Sequence, residues 1–118
     1  MADDSVALGM LDDYISLLHR FAMFDPNMQL STVMTFIEIA KADLKGELIS
    51  TADIERRVGL KSGTASRNIY YWAEGHKDMR GGHHMVDVRV DKQDMRRRIL
   101  KLTQKGRFFL GSLTEQAA

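Results

Sequence analysis

Cysteine is absent from this 118-residue chain, which excludes disulfides, thiolate zinc centres and cysteine nucleophiles. Proline occurs once, at Pro26, and there is no low-complexity stretch and no internal repeat. No apolar run approaches the roughly 20 residues of a membrane span. The opening MADDSVALGM is acidic and lacks the basic region and apolar core of a signal peptide. A nucleophile elbow, a P-loop and a paired-carboxylate motif are missing too, so no enzymatic activity is expected. Asp3-Asp4 and Asp12-Asp13 read more simply as charges favourable near a helix start. What remains, at 44% hydrophobic and 28% charged residues, is an ordinary globular composition, one domain over 1–118 with a cytoplasmic location expected.

Net charge is also scarce, at +1, but its distribution is uneven. Residues 54–107 hold 14 Lys+Arg against 6 Asp+Glu, while the remainder holds 3 against 10. Such asymmetry suggests a basic working surface for a polyanion on an acidic support, although charges also cover ordinary solvent faces.

Leu8, Leu11, Tyr14, Ile15, Leu18, Phe21 and Ala22 recur at spacings of three and four, one stripe of an amphipathic helix over 5–24. After the break at Pro26, Leu30, Val33, Met34, Ile37, Ala40 and Leu44 form a second stripe, stopped by Gly46. Leu48-Ile49 suits a small strand. Ser50 with Asp53 resembles a capping box opening a helix Thr51–Val58, which would bury Ala52 or Ile54 with Val58 before Gly59 ends it. Ser62 is the expected cap of the next helix, whose face Ala65, Ile69 and Trp72 is apolar. Beyond Gly81-Gly82 the period changes to the alternation of a strand, Met85–Val90, and Ile99–Leu102 is its hairpin partner. Thr103 caps a last helix, 103–115, carrying Phe108, Leu110 and Leu113 and weakened by Gly106 and Gly111. This order, mainly α with a small β-hairpin (α+β), is that of a winged helix-turn-helix.

Two short helices joined through Gly59-Leu60-Lys61 fit a helix-turn-helix over 50–74, whose second helix can enter a major groove. On a period of 3.6, Gly63, Arg67 and Tyr70 point away from the apolar face, flanked by Thr64, Ser66 and Tyr71. Arginine can grip guanine O6 and N7 in a fork, and Ser or Thr can meet a base edge or a phosphate. Amides near Ser62 and Gly63 add a phosphate site at the positive end of the helix. A solvated polar face is the plainer alternative, but no acidic residue lies on this one before Glu74. The wing, 83–103, carries Arg96-Arg97-Arg98 at its turn, and narrow minor grooves attract such arginines.

The run Asp94-Met95-Arg96-Arg97-Arg98-Ile99-Leu100-Lys101-Leu102-Thr103-Gln104-Lys105-Gly106 resembles the wing signature of the MarR-type winged-helix regulators. The stretch from Ile54 to Arg67 is similar to the segment leading into their recognition helix, and the resemblance spans roughly residues 29–111. It implies a bacterial or phage-encoded, sequence-specific DNA-binding homodimer, usually a repressor. It also implies that helix 62–74 lies in the major groove, that Arg96 enters the adjacent minor groove, and that Asp94 braces it. The expected DNA-binding set is Lys61, Ser62, Gly63, Thr64, Ser66, Arg67, Tyr70, Tyr71, Arg89, Lys92, Arg96, Arg97 and Arg98. Three features depart from the pattern. Asn68 stands where the family is usually aliphatic, His76–Met85 is long and rich in His and Gly, and the sequence stops at Ala118, soon after the C-terminal helix starts. Two expectations follow from this last departure: either helix 5–24 takes over the dimer pairing, or the protein dimerises weakly.

Other residues carry weaker readings. His76, His83 and His84, with Asp78 or Asp87, invite a metal, but they lack a defined ligand spacing, so neither metal nor cofactor is expected. His19 reads as a satisfied core or interface residue, and Met10, Met23, Met28 and Met34 as core filling. A small-molecule effector pocket between the first helices and the DNA-binding lobe fits the resemblance, though no residue identifies a ligand. The alternative function is a winged helix used for protein–protein contact without specific DNA binding.

Overall fold

The computed structural model describes residues 4–75 and 82–114. Helix α1 (Asp4–Ala22) forms where the first stripe predicts it, yet among its buried residues only Phe21 reaches the core. Leu8, Leu11, Tyr14, Ile15 and Leu18 are between 46% and 62% exposed. A 3.6-residue stripe shows that a face needs a partner, without saying that the partner is in the same chain. His19 is exposed for the same reason.

Helix α2 (Leu30–Lys45) buries Val33, Phe36, Ile39 and Ala40. This corrects the expected stripe, of which only Val33 and Ala40 are buried, while Leu30 and Leu44 are 67% and 72% exposed. The helix is apolar around much of its circumference, and the row containing the Phe36 ring is the one that packs. The core is built on rings: Phe36 and Trp72 lie 5.2 Å apart by centroid, and Phe21 sits edge-on to both at 5.9 and 5.8 Å. Phe109 closes this cluster, 5.3 Å from Phe21.

Strand β1 (Ile49–Ser50) runs into helix α3 (Thr51–Ile54), started by the expected capping box. The helix relaxes after one turn into a π-helical turn, Glu55–Gly59. Ile54 is fully buried and Ala52 exposed, which decides between the two candidates. Helix α4 (Ser62–Trp72) buries Ala65, Ile69 and Trp72 as the spacing predicts. Its N-cap is Lys61, not Ser62, and no side chain caps it.

Strands β2 (Val86–Val90) and β3 (Arg98–Leu102) form the hairpin, and the antiparallel sheet has the order β1-β3-β2. Ile49 and Val88 flank Leu100 from either side. Burial fades along β2 from Val86 to Val90 as the wing leaves the body. Helix α5 (Gln104–Thr114) starts at Thr103, whose Oγ1 accepts from the Gly106 amide at 3.0 Å and donates to the His84 carbonyl at 2.6 Å. Phe109, not Phe108, faces the core, and Phe108 is 82% exposed.

Gly106 is a requirement here rather than a weakness: a Cβ at this position would collide with the Met85 carbonyl oxygen. Among the described methionines Met85 is the buried one, while Met10, Met23 and Met34 are exposed and Met28 packs only partly on the core. Among the described residues, no helix is long and apolar enough to cross a membrane.

Candidate nucleic-acid interface

Local chemistry at Ser50 and Asp53 sets the geometry of the site. The Asp53 amide donates to Ser50 Oγ at 3.2 Å, and the Ser50 amide donates to Asp53 Oδ2 at 2.9 Å. The other carboxylate oxygen of Asp53 accepts from Arg56 Nη2 at 2.9 Å. Burial raises the Asp53 carboxyl, but these Ser50 and Arg56 contacts outweigh it and hold the group below the usual carboxylate range. Arg97 then reaches across from the wing, with Nη2 at 3.8 Å from Asp53 and Nη1 at 3.7 Å from Asp91. This contact belongs to the site but escapes a sequence reading, because residues 53 and 97 meet only through the tertiary fold. The capping box was the one local sign of Asp53.

The wing turn is closed by the Asp91 amide on the Arg97 carbonyl, 2.9 Å, and the Arg97 amide on the Asp94 carbonyl, 2.9 Å. Asp94 Oδ1 accepts from the Arg96 amide at 3.1 Å and from its Nε at 3.5 Å. The Arg96 side chain, 94% exposed, projects from the tip. The three arginines therefore differ. Arg97 is drawn back to α3, Arg98 turns to the Met95 carbonyl at 3.5 Å, and Arg96 stands out.

Between α4 and the wing lies an open cleft of about 560 Å³. Ser66 and Tyr70 form one wall, Asp94 and Arg96–Arg98 the other, and Glu55, an acidic member the sequence reading passed over, lies on α3's side. Thr64, Arg67 and Tyr71 line a second hollow with Asp25, Asn27 and Gln29, on the other side of α4. Arg67 is exposed, and its Nη2 lies 3.5 Å from Thr64 Oγ1. Tyr71 is half-buried beside Trp72 and His83; burial, then the Asp25 carboxylate, raises its phenol. Lys61, Ser62 and Gly63 are exposed at the start of α4, and Lys92 at the wing turn. Arg89 pairs with Asp87 at 2.6 Å, along the wing strand and outside both hollows.

Among the described residues, no group of histidines and carboxylates could hold a metal ion. His83 is packed among Phe24, Tyr71 and Trp72, and burial, with Lys105 and His84 nearby, lowers its pKa. His84 is exposed, Asp87 is committed to Arg89, and His76 and Asp78 lie outside the described residues.

A helix-turn-helix joined to a basic β-hairpin recurs in solved structures. The full chain superposes on 78% of a MepR variant from S. aureus with a TM-score of 0.68 at 16% identity. The chain shares the winged-helix fold of this structure. A MepR–DNA complex from S. aureus matches 94% of the chain and 77% of its own length, at a TM-score of 0.64 and 16% identity. RV1404 from Mycobacterium tuberculosis matches 95% of the chain and 68% of its own, at 0.63 and 18%. No protein-family model and no curated protein matches the sequence.

Proposed function

We propose that the chain is a sequence-specific double-stranded-DNA-binding transcriptional regulator, a repressor acting by promoter occlusion. The observation that carries this reading is that Ser66 and Tyr70 of the recognition helix and the wing arginines open onto one cleft. In this arrangement α4 enters the major groove with Arg67, Ser66, Thr64 and Tyr70 toward base edges. Arg96 enters the flanking minor groove, where negative potential is highest. Lys61, Ser62, Gly63, Arg89, Lys92 and Arg98 lie toward phosphates. Arg97 positions the wing rather than touching DNA, and Tyr71 supports the hollow on the side of Asp25. The MepR structure solved with DNA supports the reading by fold.

The uncovered stripe of α1 supports a homodimer paired through that helix, with two half-sites about one helical turn apart. An apolar groove between Leu17, Ile37, Leu44, Leu110 and Leu113 is the place we assign to an effector of apolar character.

Selection of bound sequences from a random duplex pool tests DNA binding and half-site symmetry together. Titration against salt separates this function from a protein-docking role. DNA affinity falls with a log–log slope of about −0.9 per phosphate contacted. A flat response, or no enriched sequence, overturns the reading.

A further inference from the structure

Two side chains one turn apart on α4 converge on a single residue of α2. Thr32 Oγ1 donates to Asn68 Oδ1 at 3.0 Å, and the Thr32 carbonyl accepts from the Trp72 indole Nε1 at 2.8 Å. Asn68 Nδ2 donates in turn to Ser31 Oγ at 3.2 Å. Thr32, Asn68 and Trp72 are all buried.

A helical threonine commonly returns its hydroxyl to the carbonyl one turn back, as Thr35 does to Ser31 at 2.7 Å. Thr32 directs its hydroxyl across the interface instead. Burying an amide between helices costs free energy unless it is hydrogen-bonded, and even a satisfied one adds little over a well-packed apolar side chain. Leucine at 68 facing valine at 32 would serve stability as well. What the hydrogen bonds add is direction. Apolar packing tolerates a small roll of one helix on another, whereas two bonds from α4 to one residue fix both its roll and its axial register.

We infer that Asn68 is a positioning residue, and that with Thr32 and Trp72 it forms a latch setting the angle at which α4 presents its exposed face. Ser66 and Arg67 sit immediately before Asn68 in the chain, so a roll of α4 about its axis swings both. The inference rests on the DNA-binding reading for its consequence, though the latch itself can be examined without DNA.

The test compares Asn68→Leu, Thr32→Val, Thr32→Ser and the Asn68→Leu/Thr32→Val double variant in the full chain. Two quantities are read: the ratio of affinities for the selected duplex and a scrambled duplex, and amide exchange over residues 69–72 of α4. Asn68→Leu, which strips the buried Thr32 hydroxyl of its partner, lowers the melting temperature, and the double variant recovers it; Asn68→Leu keeps the wild-type salt slope while losing roughly tenfold in discrimination, equivalent to one misread base pair. Its α4 amides exchange faster. Thr32→Ser, which retains the hydroxyl, behaves as wild type. Thr32→Val leaves the Asn68 oxygen unpaired, and the double variant removes that orphan; the double loses no more discrimination than Asn68→Leu alone, because both lose the same bonds of Asn68 to Thr32 and Ser31. Wild-type discrimination together with wild-type exchange in Asn68→Leu overturns the latch. If the wild-type protein itself prefers no duplex, the DNA reading falls, and the exchange data alone decide the latch: unchanged exchange overturns it, faster exchange upholds it.

Discussion

The guanidinium of Arg97 lies 3.8 Å from the carboxylate of Asp53, joining the wing to the capping box that starts α3. Neighbouring Arg96 makes only the local contact to Asp94 and remains 94% exposed. Two adjacent arginines thus make different contacts. Arg96→Ala weakens DNA binding most on sites whose flank has a narrow minor groove and leaves the melting temperature unchanged. Arg97→Ala shifts stability by no more than about 1 kcal/mol, as partly exposed ion pairs do, and reduces binding by freeing the wing. Parallel melting and binding curves on the two variants check the division; equal effects on binding across all flanks would place Arg96 outside the groove.

Arg67 stands on the exposed side of α4, one turn after Thr64. Arg67→Ala costs about 1–3 kcal/mol on the preferred site and relaxes discrimination at the base it reads. Binding to scrambled duplex changes far less. Affinities measured on a set of single-base variants of the site give the answer.

Gly106 faces the Met85 carbonyl with no room for a Cβ. Gly106→Ala improves intrinsic helix propensity by about 1 kcal/mol, yet it destabilises the protein, since forced overpacking costs typically 1–3 kcal/mol and here the obstacle is backbone. Chemical denaturation reads the sign. A more stable variant would mean that α5 can shift away from β2.

His83 is held below the ordinary histidine pKa by burial first, then by Lys105 and His84. The unfolded chain therefore takes up this proton before the folded one does. The stability that neutral His83 contributes is fully present above about pH 6.5 and is lost as pH falls toward the folded pKa. Melting temperature followed from pH 7.5 down to 5 falls, and His83→Gln flattens that part of the profile.

Leu11 and Ile15 are each 54% exposed on α1. If the proposed dimer pairs through α1, Leu11→Glu with Ile15→Glu converts it to a monomer in sedimentation without altering the helix content of the body, and affinity for a two-half-site duplex drops toward that of one half-site. A pair of glutamates that leaves the sedimentation unchanged would exclude α1 from the interface.

Much of the fold was legible because local signals and tertiary demands agree. Ser50 and Asp53 announce α3 and cap it, and Ala65, Ile69 and Trp72 lie on the buried face that their spacing indicates. The failures occur where a segment offers more than one solution. Helix α2 has two apolar rows, and only the packing of Phe36 against Trp72 decides between them. Phe108 and Phe109 are adjacent, and a register shift of one residue exchanges core for solvent. Asn68, noticed only as a departure, proves to be buried and bonded across to Thr32, a partner 36 residues away. At the candidate interface, Asp94 beside Arg96 followed from the resemblance of the wing run, whereas the pairing of Arg97 with Asp53 had no sign in the sequence.

The Gly82 amide donates to the Tyr71 carbonyl at 3.0 Å, the Met85 amide to the Trp72 carbonyl at 2.7 Å and the His84 amide to the Ala73 carbonyl at 2.7 Å. Gly82, at φ +85°, approaches the Glu74 backbone so closely that a Cβ would lie 2.9 Å from its carbonyl oxygen. The last turn of α4 and the start of the wing are therefore stitched together at residues 74 and 82. Whatever length of chain is inserted between those stitches closes on a fixed pair of anchors, and the entropy of such closure grows only slowly with length. An insertion between Gly75 and Gly82 therefore acts on ends already held by the last turn of α4 and the start of the wing.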